Sequence, residues 1–154
     1  MLKSLPPLNC IAQLDCELNL DGGSKSVLLL LDENPLVVTS GNVYLYFEEI
    51  IGHGIAPIYD IYINIPNGDV ATKKYWVGGL SMYGLEACST PSKRSKGLNR
   101  TLEVGCKLEE LYATGDWREN ELKITLQPTR PLPDHCAVVI GRVSLFVEQD
   151  NTIH

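Results

Sequence analysis

Histidine is scarce. The 154 residues contain three: His53, His135 and His154. A coupled dicopper centre with an imidazole triad on each metal needs twice that number, so this chain cannot build one. A mononuclear cupin-like site needs several imidazoles and a carboxylate converging on one ion. His53 and His135 stand alone in Gly- and Pro-rich turns, and His154 is the last residue. No metal and no other cofactor is therefore expected. Cysteine is sparse and irregular: Cys10, Cys16, Cys88, Cys106 and Cys136. An odd number with no C-x-x-C pair argues against a disulfide framework or a zinc knuckle and for thiols in a reducing cell. Cys10 and Cys16 would share a strand face but stand ~20 Å apart along an extended chain, too far to share a Cu(I) ion. No G-x-S-x-G elbow and no phosphate loop is present. The longest aliphatic run, 27–31, falls far short of the ~20 residues a membrane span needs. The N-terminal MLKSLPPLNC has no apolar run of signal-peptide length, and the sequon Asn99-Arg100-Thr101 stands without other signs of secretion. The expectation is a cytoplasmic protein with no membrane partner.

Positive charge is also in deficit. Thirteen basic residues face nineteen acidic ones, for a net charge of −6. An acidic chain repels phosphate backbones, which excludes duplex nucleic acid as a partner. With 44% hydrophobic and 21% charged residues the composition is that of an ordinary globular protein, and the length suits one domain over 1–154.

Period-2 alternation dominates the chain. Val43, Leu45 and Phe47 fall on one face, with Tyr44 and Tyr46 on the other. Tyr59, Ile61, Ile63 and Ile65 repeat the pattern against Asp60, Tyr62 and Asn64. Successive strand side chains point to opposite faces, so both stretches read as half-buried strands. Further strands are expected at 10–20, 26–31, 35–39, 75–82, 98–104, 121–127 and 136–147. Gly141-Arg142 marks a bulge or bend in the last. Turn chemistry at Asp21-Gly22-Gly23, Asn34-Pro35, Ser40-Gly41-Asn42, Pro66-Asn67-Gly68-Asp69 and Pro131-Leu132-Pro133-Asp134 separates them. One short helix is expected at about 106–114, where Leu108, Leu111 and Tyr112 have helical spacing and Gly115 stops it. Many short strands and frequent turns predict an all-β fold, an antiparallel β-sandwich of jelly-roll type.

Three features could serve recognition. Residues 61–100 carry six basic and two acidic residues, whereas residues 1–60 carry two and eight. The excess centres on STPSKRSKG, a solvated basic loop in which Lys93 and Arg94 could meet an acidic partner surface. Tyr44, Tyr46 and Tyr62 lie opposite the aliphatic stripes, with Tyr75 and Trp76 nearby, and exposed aromatics bind sugars or partner surfaces. Asp60 accompanies this set, and His53 is exposed in Gly52-His53-Gly54. The adjacent carboxylates Glu48-Glu49 and Glu109-Glu110 diverge on a strand or a helix and read as surface charge.

Several stretches resemble the C-terminal β-sandwich domain of bacterial tyrosinase-like and plant polyphenol oxidase proteins. Val43-Tyr44-Leu45 followed by Tyr59-Asp60-Ile61-Tyr62-Ile63-Asn64-Ile65-Pro66-Asn67-Gly68 is similar to one of its patterns. Tyr75-Trp76-Val77-Gly78-Gly79-Leu80-Ser81-Met82-Tyr83-Gly84 resembles another. Leu122-Lys123-Ile124-Thr125-Leu126-Gln127-Pro128 with Arg130-Pro131-Leu132-Pro133, and Ile140-Gly141-Arg142-Val143-Ser144-Leu145-Phe146, follow in the same order. The resemblance implies a jelly-roll-like domain without its own active site, which in the oxidases covers the copper entrance with a side chain lodged there. No residue here can be matched to that side chain. The histidine-bearing domain is missing, and Met1 with a complete-looking final strand favours a free-standing relative over an excised domain.

The first functional expectation is thus a noncatalytic interaction or shielding domain, with a copper oxidase or another protein as partner. The alternatives are a small-ligand or carbohydrate-binding module using the tyrosine face, and a small metal-independent cyclase or isomerase with Asp60, Tyr62 or Glu48 as acid/base. No nucleophile motif supports the last. Unpaired edge strands also leave a homodimer open.

Overall fold

A computed structural model describes residues 8–32, 35, 42–89 and 97–148, with Cys16 by its backbone only. The expected alternation becomes eight strands: β1 (Leu8–Leu20), β2 (Lys25–Leu30), β3 (Asn42–His53), β4 (Tyr59–Ile63), β5 (Trp76–Leu80), β6 (Leu98–Glu103), β7 (Glu121–Pro128) and β8 (Ala137–Glu148). They pair into two four-stranded sheets in the orders β1-β8-β3-β6 and β2-β7-β4-β5, every pairing antiparallel. The strand expected at 35–39 lies outside the described residues apart from Pro35, whose backbone is helical and not extended.

The aliphatic stripes fill the space between the sheets. Val43, Leu45, Phe47 and Ile50 from β3 are fully buried, as are Tyr59, Ile61 and Ile63 from β4 and Leu122, Ile124 and Leu126 from β7. Register follows from this, because a one-residue slip would turn each stripe to solvent. The irregularity at Gly141-Arg142 is real. Val138 and Ile140 point inward before it, and Val143, Leu145 and Val147 after it, so the inward set changes parity there. β3 changes parity at the same level, between Phe47 and Ile50, with Glu49 at φ 55°. Bare Gly141 makes room, since a Cβ there would sit 2.9 Å from that of Glu49.

Two helices occur among the described residues, one more than expected. The expected one is α2 (Gly105–Ala113), which buries Leu108 and Leu111. It stops at Gly115 (φ 81°), where the Gly115 N–H bonds Tyr112 O and the Asp116 N–H reaches back to Leu111 O. The unexpected one, α1 (Leu85–Ser89), is too short to display a period in sequence. Tertiary bonds hold it: the Gly52 N–H donates to Ser89 Oγ (2.9 Å) and the Gly54 N–H to Glu86 Oε1 (2.8 Å). No helix among the described residues is long and apolar enough to cross a membrane.

The two sheets are also tied at one edge. Arg100 on β6 donates from Nε to Ser81 O (3.0 Å) and from a terminal nitrogen to Tyr83 O (2.7 Å), both on the turn that follows β5. Gly52 matters for a different reason. A Cβ there would run into the carbonyl of Ala137 on β8, so only glycine permits the approach of these strands.

Candidate functional site

The two outer faces of the sandwich hold the sequence-expected residues separately. Tyr44 and Tyr46 lie on the outer face of the β1-β8-β3-β6 sheet, and both are half-buried. The Tyr44 hydroxyl donates to Glu148 Oε2 (3.0 Å), and this bond, with some burial, raises its pKa above the ordinary phenol value. The Tyr46 ring packs on Phe146 with centroids 4.7 Å apart. Glu48 continues the row and meets Arg142 (3.3 Å), which also bonds Asp15 on β1 (2.7 Å). That Arg142 contact leads the causes holding the Asp15 carboxyl below its usual range. His53 ends β3 opposite Ala137 and is exposed.

Asp60, Tyr62 and Trp76 converge on the other sheet. They sit on the outward side of β4 and β5, where Tyr62 pairs with Trp76. The Trp76 indole N–H donates to Asp60 Oδ1 (3.0 Å), which fixes the plane of a ring that is 43% exposed. Tyr62 is half-buried, and burial followed by the Asp60 charge raises its pKa. Its hydroxyl therefore stays protonated at neutral pH. The three border a cleft of about 810 Å³ that the first turn of α2 walls with Cys106 and Lys107. Glu103, Lys73 and Thr72 complete its polar rim, and Ala71 and Val77 its apolar part.

Sequence reasoning placed the tyrosines on one recognition face, and the structure corrects this. Tyr44 and Tyr46 are in one sheet and Tyr62 in the other, so no common platform forms. Tyr75, expected beside Trp76 as an exposed aromatic, is 6% exposed and belongs to the core. Glu48 is likewise on the opposite face from Asp60 and Tyr62, so these do not make one acid/base set. Lys93 and Arg94 lie outside the described residues. The residues of α2 at the cleft were missed because nothing in a linear pattern says which sheet face a helix will cover.

Among the described residues no group of three or more His, Cys, Asp and Glu is placed to hold a metal ion. The described carboxyls with displaced pKa values, Asp15, Asp21 and Asp116, all move down, each beside a cation. A second hollow, about 450 Å³, lies beside Asn64, Asp116, Trp117 and Lys123. Its central amide is structurally occupied. Asn64, at φ 56°, donates to Asp116 O (3.2 Å) and accepts from the Lys123 N–H (2.9 Å). Asparagine tolerates this left-handed backbone better than most residues.

One further surface stands out. Tyr83 is 87% exposed on the turn before α1, and hydrogen bonds brace that turn. Arg100 holds its carbonyl, its N–H donates to Ser81 Oγ (3.2 Å), and the Leu85 N–H closes onto Met82 O. The segment that α1 bonds, at Gly52 and Gly54, carries Ile51 and Ile55, which are 47% and 79% exposed.

Comparison with known proteins decides the family. A match to the family described as "Domain of unknown function (DUF7868)" spans residues 12–148. The chain belongs to this family. It is 29% identical over 108 residues to tyrosinase HcTyr1 of Hahella sp. strain CCB-MM4, covering 69% of this chain and 23% of that protein. The fold is that found in latent apple tyrosinase, with a TM-score of 0.57, 20% identity and coverage of 86% of this chain but 27% of the other. Latent aurone synthase, a polyphenol oxidase, gives 0.54 at 14% identity, covering 85% and 26%. The chain thus spans about a quarter of the length of these relatives. The resemblance read from the motifs between residues 43 and 147 is borne out.

Proposed function

We propose that this chain is a noncatalytic docking domain that shields the copper entrance of a tyrosinase-type oxidase unit. The observation that carries the reading is the fold comparison. Some 86% of the chain superposes on only about a quarter of an oxidase whose solved form is described as latent. The sequence relation to a tyrosinase points the same way. The chemistry of the chain agrees, since its three histidines are too few for a dicopper centre of its own.

The α1 end is the docking surface this reading favours. Tyr83, Ile51 and Ile55 present apolar side chains there on a scaffold already fixed by Arg100, Ser89 and Glu86. Preorganisation keeps the ordering cost of binding low. Tyrosine is a frequent anchor at interfaces because its large, stiff side chain combines apolar area with a polar tip.

The test uses the Hahella tyrosinase truncated to remove the stretch that matches this chain. Adding the purified domain is expected to slow diphenol oxidation saturably, and Tyr83→Ala to weaken that inhibition about tenfold, as loss of an interface anchor does. An unchanged oxidation rate together with no complex on gel filtration contradicts the reading.

A further inference from the structure

The cleft between β4, β5 and α2 has features that docking at the α1 end does not use. We propose that it is a binding site for a saccharide, with one pyranose ring stacked on Trp76 and its hydroxyl groups bonded to Asp60. The proposal is independent of the shielding role.

The indole supplies the platform. A tryptophan on a strand that is 43% exposed leaves much apolar area in water, which a ring with apolar C–H faces can cover. The bond to Asp60 Oδ1 favours this orientation of the indole, so the platform is partly set before a ligand arrives. The second carboxylate oxygen, Oδ2, has no hydrogen-bond partner among the described residues. A carboxylate accepts strongly from hydroxyl donors. Tyr62, protonated at neutral pH, adds a hydroxyl donor next to Asp60.

Charge and size then narrow the ligand. The lining holds two acids, Asp60 and Glu103, and two bases, Lys73 and Lys107. Lys107 is already paired with Glu110 (2.7 Å), and Glu103 accepts the Gly105 N–H (2.9 Å). With Lys107 taken up by Glu110, Asp60 and Glu103 outnumber Lys73, an excess of carboxylate that disfavours an anion and suits a neutral ligand rich in hydroxyl donors, a polyol. A cleft of about 810 Å³ falls in the usual range for small-molecule sites and has room for two or so sugar rings. Its open rim suits an oligosaccharide that continues beyond it.

The two tryptophans make the test convenient. Trp76 is exposed and Trp117 is 1% exposed, so a change in solvent-accessible emission reports Trp76. The full chain is titrated with methyl β-glucoside, maltose, cellobiose and chitobiose, and with catechol as the contrasting ring. At least one saccharide should give a saturable emission change at roughly millimolar concentration and protect Trp76 from acrylamide quenching. Asp60→Asn should weaken that saccharide about tenfold, the worth of a hydrogen bond to a charged acceptor. In NMR, saturation transfer from the protein to that saccharide should vanish in Trp76→Ala, with the melting curve of each variant checking that it folds. No saturable response to any saccharide overturns the proposal. So does saturation transfer that persists in Trp76→Ala, or a response to catechol alone.

Discussion

On the outer face of the β1-β8-β3-β6 sheet, aromatic and charged side chains close over one another. Tyr46 covers Phe146, Tyr44 bonds Glu148, and Arg142 joins Asp15 to Glu48 across three strands. On the outer face of the other sheet, Trp76 stays 43% exposed and Asp60 and Tyr62 border a cleft. The alternating pattern behind the two faces is the same. The difference comes from neighbours. β3 is central in its sheet, flanked by β8 and β6, so its outward tyrosines have partners at hand. β5 is an edge strand, and Asp60 on its neighbour β4 faces Gly79, which offers no side chain. Outward aromatics in a central strand become packing, and those beside a bare edge remain available for contact.

The largest effect should come from removing what both faces share. Phe47 is fully buried between the sheets. Phe47→Ala is expected to lower stability by about 3–5 kcal/mol, read from urea unfolding. A loss under about 1 kcal/mol would mean that Phe47 is not packed between the sheets. Next, the faces should separate. Tyr46→Ala deletes an aromatic contact and is expected to lose about 1–2 kcal/mol on the same assay, whereas Trp76→Ala removes a half-exposed ring with one exposed hydrogen bond and loses less than about 1 kcal/mol. Equal losses would erase the distinction between a packed and an available face.

Acid should act last and least. The Asp15 carboxyl is depressed mainly by its bond to Arg142, so its contribution is present above its unfolded pKa of about 3.9 and is lost as pH falls through the lower folded value. Melting temperature should therefore drop between about pH 4 and pH 2, and Asp15→Asn should flatten part of that drop. Asp21 and Asp116, depressed by the Gly23 N–H with Lys25 and by Lys74, keep the rest of it. The Asp15–Arg142 pair is solvent-exposed, so salt should shrink the effect.

Much of the fold was legible because burial leaves a period. The stripes Val43-Leu45-Phe47 and Tyr59-Ile61-Ile63-Ile65 are buried as the alternation requires, and Gly115 stops α2 where expected. Even the parity change at Gly141-Arg142 showed in the break of the apolar row. The site was legible only in part. Trp76, Asp60 and Tyr62 could be named, but their separation from Tyr44 and Tyr46 depends on which sheet each strand joins. α1 and the hydrogen-bonded Tyr83 turn were not legible for a related reason. Five helical residues held by bonds to Gly52 and Gly54 carry no periodic signal of their own.

If the domain docks on an oxidase as proposed, it does so through its α1 end and not through the closed tyrosine face. Amide hydrogen exchange of the domain, alone and mixed with the truncated Hahella tyrosinase, tests it most directly. Slower exchange confined to residues 51–58 and 81–89, needing about tenfold more oxidase in Tyr83→Ala, is the result expected. Protection over the outer face of β1, β3 and β8 instead, or no protection anywhere, would contradict it.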